Sequence, residues 1–143
     1  MTSSDTNPVF QALEGYQSAV LAKDAGAFAA LYAADVRVFD MWGAWSFDGL
    51  EAWCRETADW FGSLGDERVR VGFSDVQASV SQDLAIGHAF VSFAALGPDG
   101  VELRSMSNRL TLVLQRRGGA WKITHQHTSA PADPQTAKLI FKR

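Results

Sequence analysis

The hydrophobic pattern of this 143-residue chain changes its period once, near Val69. Before that point, apolar residues recur at three- and four-residue spacing, which is typical of helices that bury one face. From there on they alternate with other residues, as in Val69, Val71 and Phe73, which is typical of half-buried strands. Helices followed by consecutive strands indicate an α+β fold, with the helices against one side of an antiparallel sheet.

Three helices are predicted from their start signals. Asn7 offers a capping side chain and Pro8 suits the first helical position. Asp24 is placed to cap a short second helix that ends near Ala34. Asp48 opens a D-x-x-E capping signature, which predicts the start of the third helix.

The strands of the second half are separated by the turn sequences GPDG and RRGG. Two-residue turns there predict a register in which His125 lies opposite Leu112, and Leu112 opposite Ala85. A change of phase in the preceding strand predicts a bulge near Ser74 and Asp75.

Two histidines lie close together in the last strand. His125 and His127 are two residues apart and therefore share a sheet face. In the predicted register this face also holds Ala85 and Gly87, whose small side chains leave room for a ligand. Three interpretations remain open: a polar sheet face with satisfied histidines, a pocket role in binding or proton transfer, and a metal chelate. No Glu or Cys nearby in the sequence completes a metal site, so no metal is predicted.

An acidic residue interrupts the apolar face of the first strand. Asp40 lies between Val38 and Trp42, where desolvation would disfavour its charged form and suit it to act as a general base. The alternative is a strand-end carboxylate that faces water or caps the next turn. Tyr16, on the apolar stripe of the first helix, is either a hydrogen-bond donor into the same cavity or a core tyrosine. Trp42 and Trp60 are predicted to form pocket wall.

Composition excludes several classes of function. The net charge of −3 argues against a nucleic-acid surface, and no apolar stretch is long enough for a membrane span. Cys54 is the only cysteine, and the N-terminus lacks the pattern of a signal peptide. We therefore expect a single cytoplasmic domain over residues 1–143, with no cofactor.

Two long stretches resemble a known superfamily. The first, YQSAVLAKDAGAFAALYAADVRVFDMWG followed by FDGLEAW, resembles the start of the nuclear-transport-factor-2-like, or SnoaL-like, α+β barrels. The second, NRLTLVLQRRGGAWKITHQHTSAP, resembles the branch that includes the calcium/calmodulin-dependent kinase II association domain. The resemblance implies a cone-shaped, curved antiparallel sheet with the three N-terminal helices packed on its concave side. Isomerases, cyclases, dehydratases and oligomerisation modules all use this fold.

Ketosteroid isomerases share the fold, and two of their positions match here. By that resemblance Asp40 would move a proton at a carbon next to a carbonyl, and Tyr16 would stabilise the enolate oxygen. The isomerases have a second acid on a later strand, where this sequence reads SNRLTLVL. Asn108, or a protonated His125 or His127, would replace that acid as a donor. The proline that follows the isomerase base is also missing.

Two functions remain open on this sequence. One is a proton-transfer enzyme of isomerase, cyclase or dehydratase type that binds a small, largely apolar carbonyl compound. The other is a non-enzymatic module that binds a small ligand or assembles oligomers. In both cases we expect a homodimer, formed across the sheet surface that carries Arg109, Thr111, Gln126 and Thr128. If Arg109 pointed inward instead, the expected ligand would be a carboxylate.

Overall fold

Helices precede strands in the structure, a computed structural model that describes residues 6–143. Within that range the helices are α1 (Pro8–Ala22), α2 (Ala25–Ala29) and α3 (Leu50–Ser63). The strands are β1 (Tyr32–Phe39), β2 (Phe47–Asp48), β3 (Arg68–Val80), β4 (Leu84–Leu96), β5 (Glu102–Arg117) and β6 (Ala120–Ser129). The predicted α+β class and the placement of the helices before the meander are confirmed.

The strands form one six-stranded sheet in the order β2-β1-β6-β5-β4-β3. Strands β3 to β6 make the predicted antiparallel meander. β1 joins this meander by pairing in parallel with β6, and β2 pairs antiparallel with the outer edge of β1. A parallel pair of strands needs a long connection, and here α3 and the strands β3 to β5 lie between β1 and β6 in the sequence.

Two of the predicted helix caps are present. The Asn7 side chain accepts a hydrogen bond from the backbone N–H of Val9 at 2.9 Å, and Asp24 accepts one from Ala27 at 3.0 Å. Each satisfies an N–H group that has no partner inside its helix. The second helix ends at Ala29, earlier than predicted, because the chain turns directly into β1.

The predicted cap of the third helix is wrong. Asp48 belongs to β2, and its carboxylate forms an exposed ion pair with Arg37 (Nε to Oδ1, 3.2 Å). Gly49 occupies the position before α3 with a φ of 93°, a conformation that glycine adopts without steric cost. α3 therefore starts without a side-chain cap.

The core lies between the helices and the inner face of the sheet. Its large, fully buried members come from α1, α2 and the sheet and include Val9, Val20, Phe28, Val36, Val38, Val91, Leu114 and Ile123. α1 lies close to the sheet at Gly87, where a Cβ would overlap with the side chain of Val9. The small residue thus makes room for α1, and not for a ligand as predicted.

The predicted bulge in β3 is confirmed. The register with β4 shifts between Ser74 and Gln77, and Asp75 has a φ of 53°. The predicted β4–β5 register is wrong by two residues, since Ala85 pairs with Leu114. An offset of two keeps each side chain on its predicted face.

A second bulge, in β6, was not predicted. Ile123 pairs with Leu114, but His125 pairs with Val113, so Thr124 is an extra residue in its strand. Beyond it, every side chain of β6 changes face.

This change of face overturns two predictions. Gln126 and Thr128, expected on the outer surface, point inward and are 1% and 7% exposed. His125 and His127 point outward, away from the face on which they were predicted.

The close approach at Gly87 can be tested by substitution. Gly87→Ala should lower the free energy of unfolding by about 1–3 kcal/mol, because Val9 is β-branched and cannot move aside easily. Gly62→Ala is the matched control: its Cβ meets nothing within 4 Å, and it should raise helix stability by up to about 1 kcal/mol. Urea denaturation measures both, and equal effects of the two substitutions would contradict the packing described.

Candidate functional site

A cavity of about 640 Å³ opens between α1, α3 and the inner face of the sheet. Its volume lies in the usual range of small-molecule sites. Much of its wall is aromatic, from Tyr16, Phe28, Trp42, Trp53, Trp60 and Phe93. The polar lining residues are Asp40, Glu56, Thr57, Asp59, Arg104, Ser105, Asn108 and Thr128. The cavity therefore suits a largely apolar molecule with a few polar groups.

Asp40 lies one residue beyond the end of β1, where the chain leaves the sheet. Its Oδ1 accepts a hydrogen bond from the Thr128 hydroxyl at 3.0 Å, and its Oδ2 accepts one from the backbone N–H of Trp42 at 3.4 Å. The Thr128 hydroxyl in turn accepts the backbone N–H of Met41 at 3.1 Å. The carboxylate thus caps the following turn and also lines the cavity.

Burial controls the charge of Asp40. Desolvation raises the pKa of this carboxyl above its ordinary value, and the hydrogen bonds from Thr128, Trp42 and Met41 oppose the rise in part. A carboxylate with a raised pKa is a stronger base than one in water. Its hydrogen bonds also hold it in one orientation against the cavity.

Tyr16 reaches the cavity from α1. Its ring packs against Phe28 and Phe73, with centroids 5.1 and 6.0 Å away. Burial raises the pKa of Tyr16 far above its ordinary value, and the negative charge of Asp40 raises it further, so the phenol stays protonated. Among the described residues its hydroxyl finds no hydrogen-bond partner, which leaves a donor in the cavity wall.

A second tyrosine lies deeper. The Tyr32 hydroxyl donates a hydrogen bond to Oε1 of Gln126 at 2.6 Å, and both side chains are buried. Burial, followed by the effect of Tyr16, raises the pKa of Tyr32 well above its ordinary value. The indole N–H of Trp53 opposes this rise in the pKa of Tyr32, although within residues 6–143 Trp53 Nε1 has no hydrogen-bond partner.

Five of the predicted site residues line the cavity together: Asp40, Tyr16, Trp42, Trp60 and Asn108. Asn108 lies on the inner face of β5 and is 7% exposed. Trp42 lines the cavity and is half exposed to solvent.

The two predicted histidines do not line the cavity. His125 and His127 pack on the outer face against Phe39, with ring centroids 4.9 and 5.5 Å from it. His125 Nδ1 also contacts the backbone oxygen of Arg37 at 2.7 Å. His127 borders a second depression on the outer side, whose lining also includes Asp40, Met41 and Thr128.

Sequence reasoning missed Thr128 and Met41 as parts of the site. Thr128 was assigned to the outer surface, because no residue type in β6 reveals the extra residue that turns it inward. Met41 follows the base directly in sequence, which is the one signal that was available for it.

The C-terminal segment packs against Trp42, a half-exposed residue of the cavity wall. The Phe141 ring contacts Trp42, with centroids 5.6 Å apart. The backbone oxygen of Phe141 accepts the N–H of Ser107 at 2.7 Å, and Lys142 Nζ donates to Ser105 Oγ at 2.7 Å. These contacts attach the segment to the start of β5.

Within residues 6–143, neither Arg109 nor Arg104 is arranged to bind an anionic ligand in the cavity. Arg109 is exposed on the outer face and donates to Ser129 Oγ at 3.2 Å, so the carboxylate ligand expected for an inward Arg109 is not supported. Arg104, at the cavity wall, is paired with Glu67 at 2.6 Å.

Between residues 6 and 143 no group of three or more His, Cys, Asp or Glu side chains is arranged to hold a metal ion. No helix in the same range combines the length and the hydrophobicity required to cross a membrane.

The environment of Asp40 gives a direct test. NMR titration should find the pKa of Asp40 above its ordinary value, because burial disfavours the carboxylate. Thr128→Val should raise this pKa further by removing a hydrogen bond to the charged form, whereas Ser129→Ala, whose hydroxyl contacts Arg109 outside, should leave it unchanged. An ordinary pKa in the wild type would contradict the description of the site.

Comparisons with known proteins agree with this architecture. The sequence model of the SnoaL-like domain family matches residues 9–133. An NTF2-like protein of unknown function from Pseudomonas putida KT2440 is 27% identical, with a TM-score of 0.86 over 100% of this chain and 98% of that protein. A search of curated proteins found no match.

Two more distant structures share the fold. A putative dehydratase of the NTF2-like family from Streptomyces avermitilis is 19% identical, with a TM-score of 0.73 over 92% of this chain and 100% of that one. A putative calcium/calmodulin-dependent protein kinase II association domain from Xanthomonas campestris is 18% identical, with a TM-score of 0.72 over 90% and 87% of the two chains. The family match spans both the helices and the sheet, and the chain therefore belongs to the SnoaL-like family of the NTF2-like superfamily.

Proposed function

We propose that the cavity binds a small, largely apolar carbonyl compound and that Asp40 transfers a proton at the carbon next to the carbonyl. One observation carries this proposal. Asp40, with a raised pKa, and Tyr16, a protonated phenol with no hydrogen-bond partner in the described structure, line the same aromatic cavity. A base and a donor in one desolvated space are what enolate formation requires.

Each group has a definite part in the proposed step. The Asp40 carboxylate takes the proton, the electrons of the broken C–H bond form the enolate, and the Tyr16 hydroxyl donates to the oxygen that gains negative charge. Thr128 and the N–H of Trp42 hold the carboxylate in place. The proton then returns from Asp40 to the same or another carbon, so the chemistry uses no cofactor.

The apolar body of the ligand would rest on the aromatic wall. Trp42 and Trp60 stand on this wall with Phe93, whose ring meets that of Trp60 edge-on at 6.2 Å. Burial of flat apolar surface against such rings is a large source of affinity. Asp40, Tyr16 and Asn108 are the polar groups that would orient the carbonyl end.

Proton exchange tests the catalytic part of the proposal. In D₂O the protein should accelerate loss of the methyl protons of 2-acetylnaphthalene, followed by NMR. Asp40→Asn should lower the accelerated rate about 10²- to 10⁴-fold, and Tyr16→Phe about 10²- to 10³-fold. The rate should fall as the pH falls through the raised pKa of Asp40, because the protonated carboxyl is no base. His88→Ala, at an exposed position of β4 away from the cavity lining, is the matched control and should change nothing.

The same experiment separates the two functions left open by the sequence. If the ketone binds but no variant alters its exchange, the non-enzymatic binding module is the better description. That alternative draws on the likeness to the putative kinase II association domain, which at 18% identity supports the fold alone. An Asp40→Asn variant as active as the wild type would contradict the assignment of the base.

We also propose a homodimer formed across the outer face of the sheet. This face places the apolar side chains of Ile86 and Val113 beside the polar groups of His88, Arg109 and Thr111. Ile86 is 42% exposed, and a second copy would remove such apolar surface from water. Gln126 and Thr128, expected in this interface from the sequence, are excluded from it because they face inward.

Sedimentation equilibrium tests the dimer. Thr111→Glu should weaken self-association at least about tenfold, because it places two carboxylates in one buried interface. Gln82→Glu, in the exposed turn between β3 and β4, adds the same charge elsewhere and should have no effect. A wild-type protein that is monomeric at micromolar concentration would overturn the proposal.

A single domain in a reducing cytoplasm remains our proposal for the chain as a whole. The family match at residues 9–133 supports one domain. Cys54 is the only cysteine in the sequence and is a free thiol on α3, which suits that compartment.

A further inference from the structure

We propose that Asn108 determines the class of ligand: its side-chain oxygen accepts a hydrogen bond from a hydroxyl or N–H group carried next to the carbonyl of the bound compound. The site would therefore select α-hydroxy or α-amino carbonyl compounds over plain ketones. This inference rests on the proposed function, since it assumes that the cavity binds a carbonyl compound.

Asn108 is buried without full satisfaction of its hydrogen-bonding groups. The side chain is 7% exposed and lines the cavity. Its Nδ2 donates to the thioether sulfur of Met41 at 3.1 Å, but its Oδ1 has no partner within residues 6–143. Buried polar atoms without partners are uncommon in folded proteins, and one in a cavity wall points to a ligand group.

The contact with Met41 fixes which end of the amide is free. A thioether sulfur has lone pairs and carries no proton, so only the N–H side of Asn108 can point at it favourably. The oxygen is therefore the group left to meet a ligand. The resemblance to ketosteroid isomerases implied a donor at this position, whereas the geometry assigns an acceptor.

Met41 and Thr128 connect the Asn108 side chain to Asp40, the proposed base. Met41, which holds the amide, also donates its backbone N–H to the Thr128 hydroxyl, and that hydroxyl donates to Asp40 at 3.0 Å. Asn108 and Asp40 thus lie at the same end of the cavity. A ligand that presents a C–H bond to Asp40 places the substituents of that carbon near Asn108.

The Met41 side chain lies against Nδ2 of Asn108 and would border a ligand group that approached Oδ1. Its unbranched chain has several rotatable bonds, so it can adjust at low cost. Asn108 is held on the paired strand β5, opposite Val91, and stays in place. Entry of a donor group would exchange an unpaired oxygen for a hydrogen-bonded one.

Three matched ketones test the inference: 2-acetylnaphthalene and its derivatives with one hydroxyl or one fluorine on the methyl carbon. Fluorine is close to a hydroxyl in size but donates no hydrogen bond. Calorimetry measures affinity, while NMR shifts of the Trp53 and Trp60 indole N–H groups report binding in the cavity. Trp45 is 99% exposed and serves as the reference signal.

The wild type should bind the hydroxy ketone at least about fivefold more tightly than the fluoro ketone. Asn108→Leu, which keeps the shape and removes the acceptor, should bring the two affinities within about twofold. Asn108→Ala gives a second test should the leucine variant not fold. Met106→Leu, a volume-conserving change in the same cavity wall, should keep the preference.

The outcomes separate this inference from the proposed function. Equal affinities for the hydroxy and fluoro ketones in the wild type would overturn the role of Asn108 and leave ketone binding intact. A preference that survives in both Asn108 variants would do the same. If none of the three ketones shifts the Trp53 and Trp60 signals, the proposed function itself is wrong, and this inference with it.

Discussion

One extra residue in β6 decides which side chains reach the cavity. Thr124 has no partner of its own in the pairing with β5, and its insertion reverses the face of every residue that follows in the strand. Gln126 then ties Tyr32 to the sheet, and Thr128 holds the Asp40 carboxylate. Without the bulge, two histidines would occupy these positions and both hydrogen bonds would be lost. The polar contribution of β6 to the cavity wall follows from this single irregularity.

Burial and hydrogen bonding act in opposite directions on the Asp40 carboxyl. Desolvation raises its pKa, while Thr128, turned inward by the bulge, and two backbone N–H groups favour the charged form. The result is a carboxylate that accepts a proton more readily than one in water and is held in a single orientation. Tyr16, on α1, has no hydrogen-bond partner for its hydroxyl among residues 6–143, which leaves that hydroxyl to a ligand.

Much of the fold follows from local patterns, and the site follows from them only in part. The change of hydrophobic period, the caps at Asn7 and Asp24 and the bulge near Ser74 are properties of neighbouring residues, so the sequence predicts them correctly. The meeting of Asp40 with Tyr16 at one cavity could be anticipated from the apolar faces that carry them. The bulge at Thr124 could not, because β-branched and polar residues fit either side of a strand and no glycine marks the irregularity. The prediction that Asp48 caps α3 failed because its carboxylate pairs with Arg37 instead.

The parallel pairing of β1 with β6 has a consequence for the order in which this protein matures. Asp40 and Thr128 are separated by 88 positions, and their hydrogen bond forms across that parallel pair. Contacts between such distant segments are slow to form, because the loop between them must be closed first. During synthesis the carboxylate emerges 88 positions before its partner. The binding chemistry can therefore form only after β6 has been made and has docked beside β1.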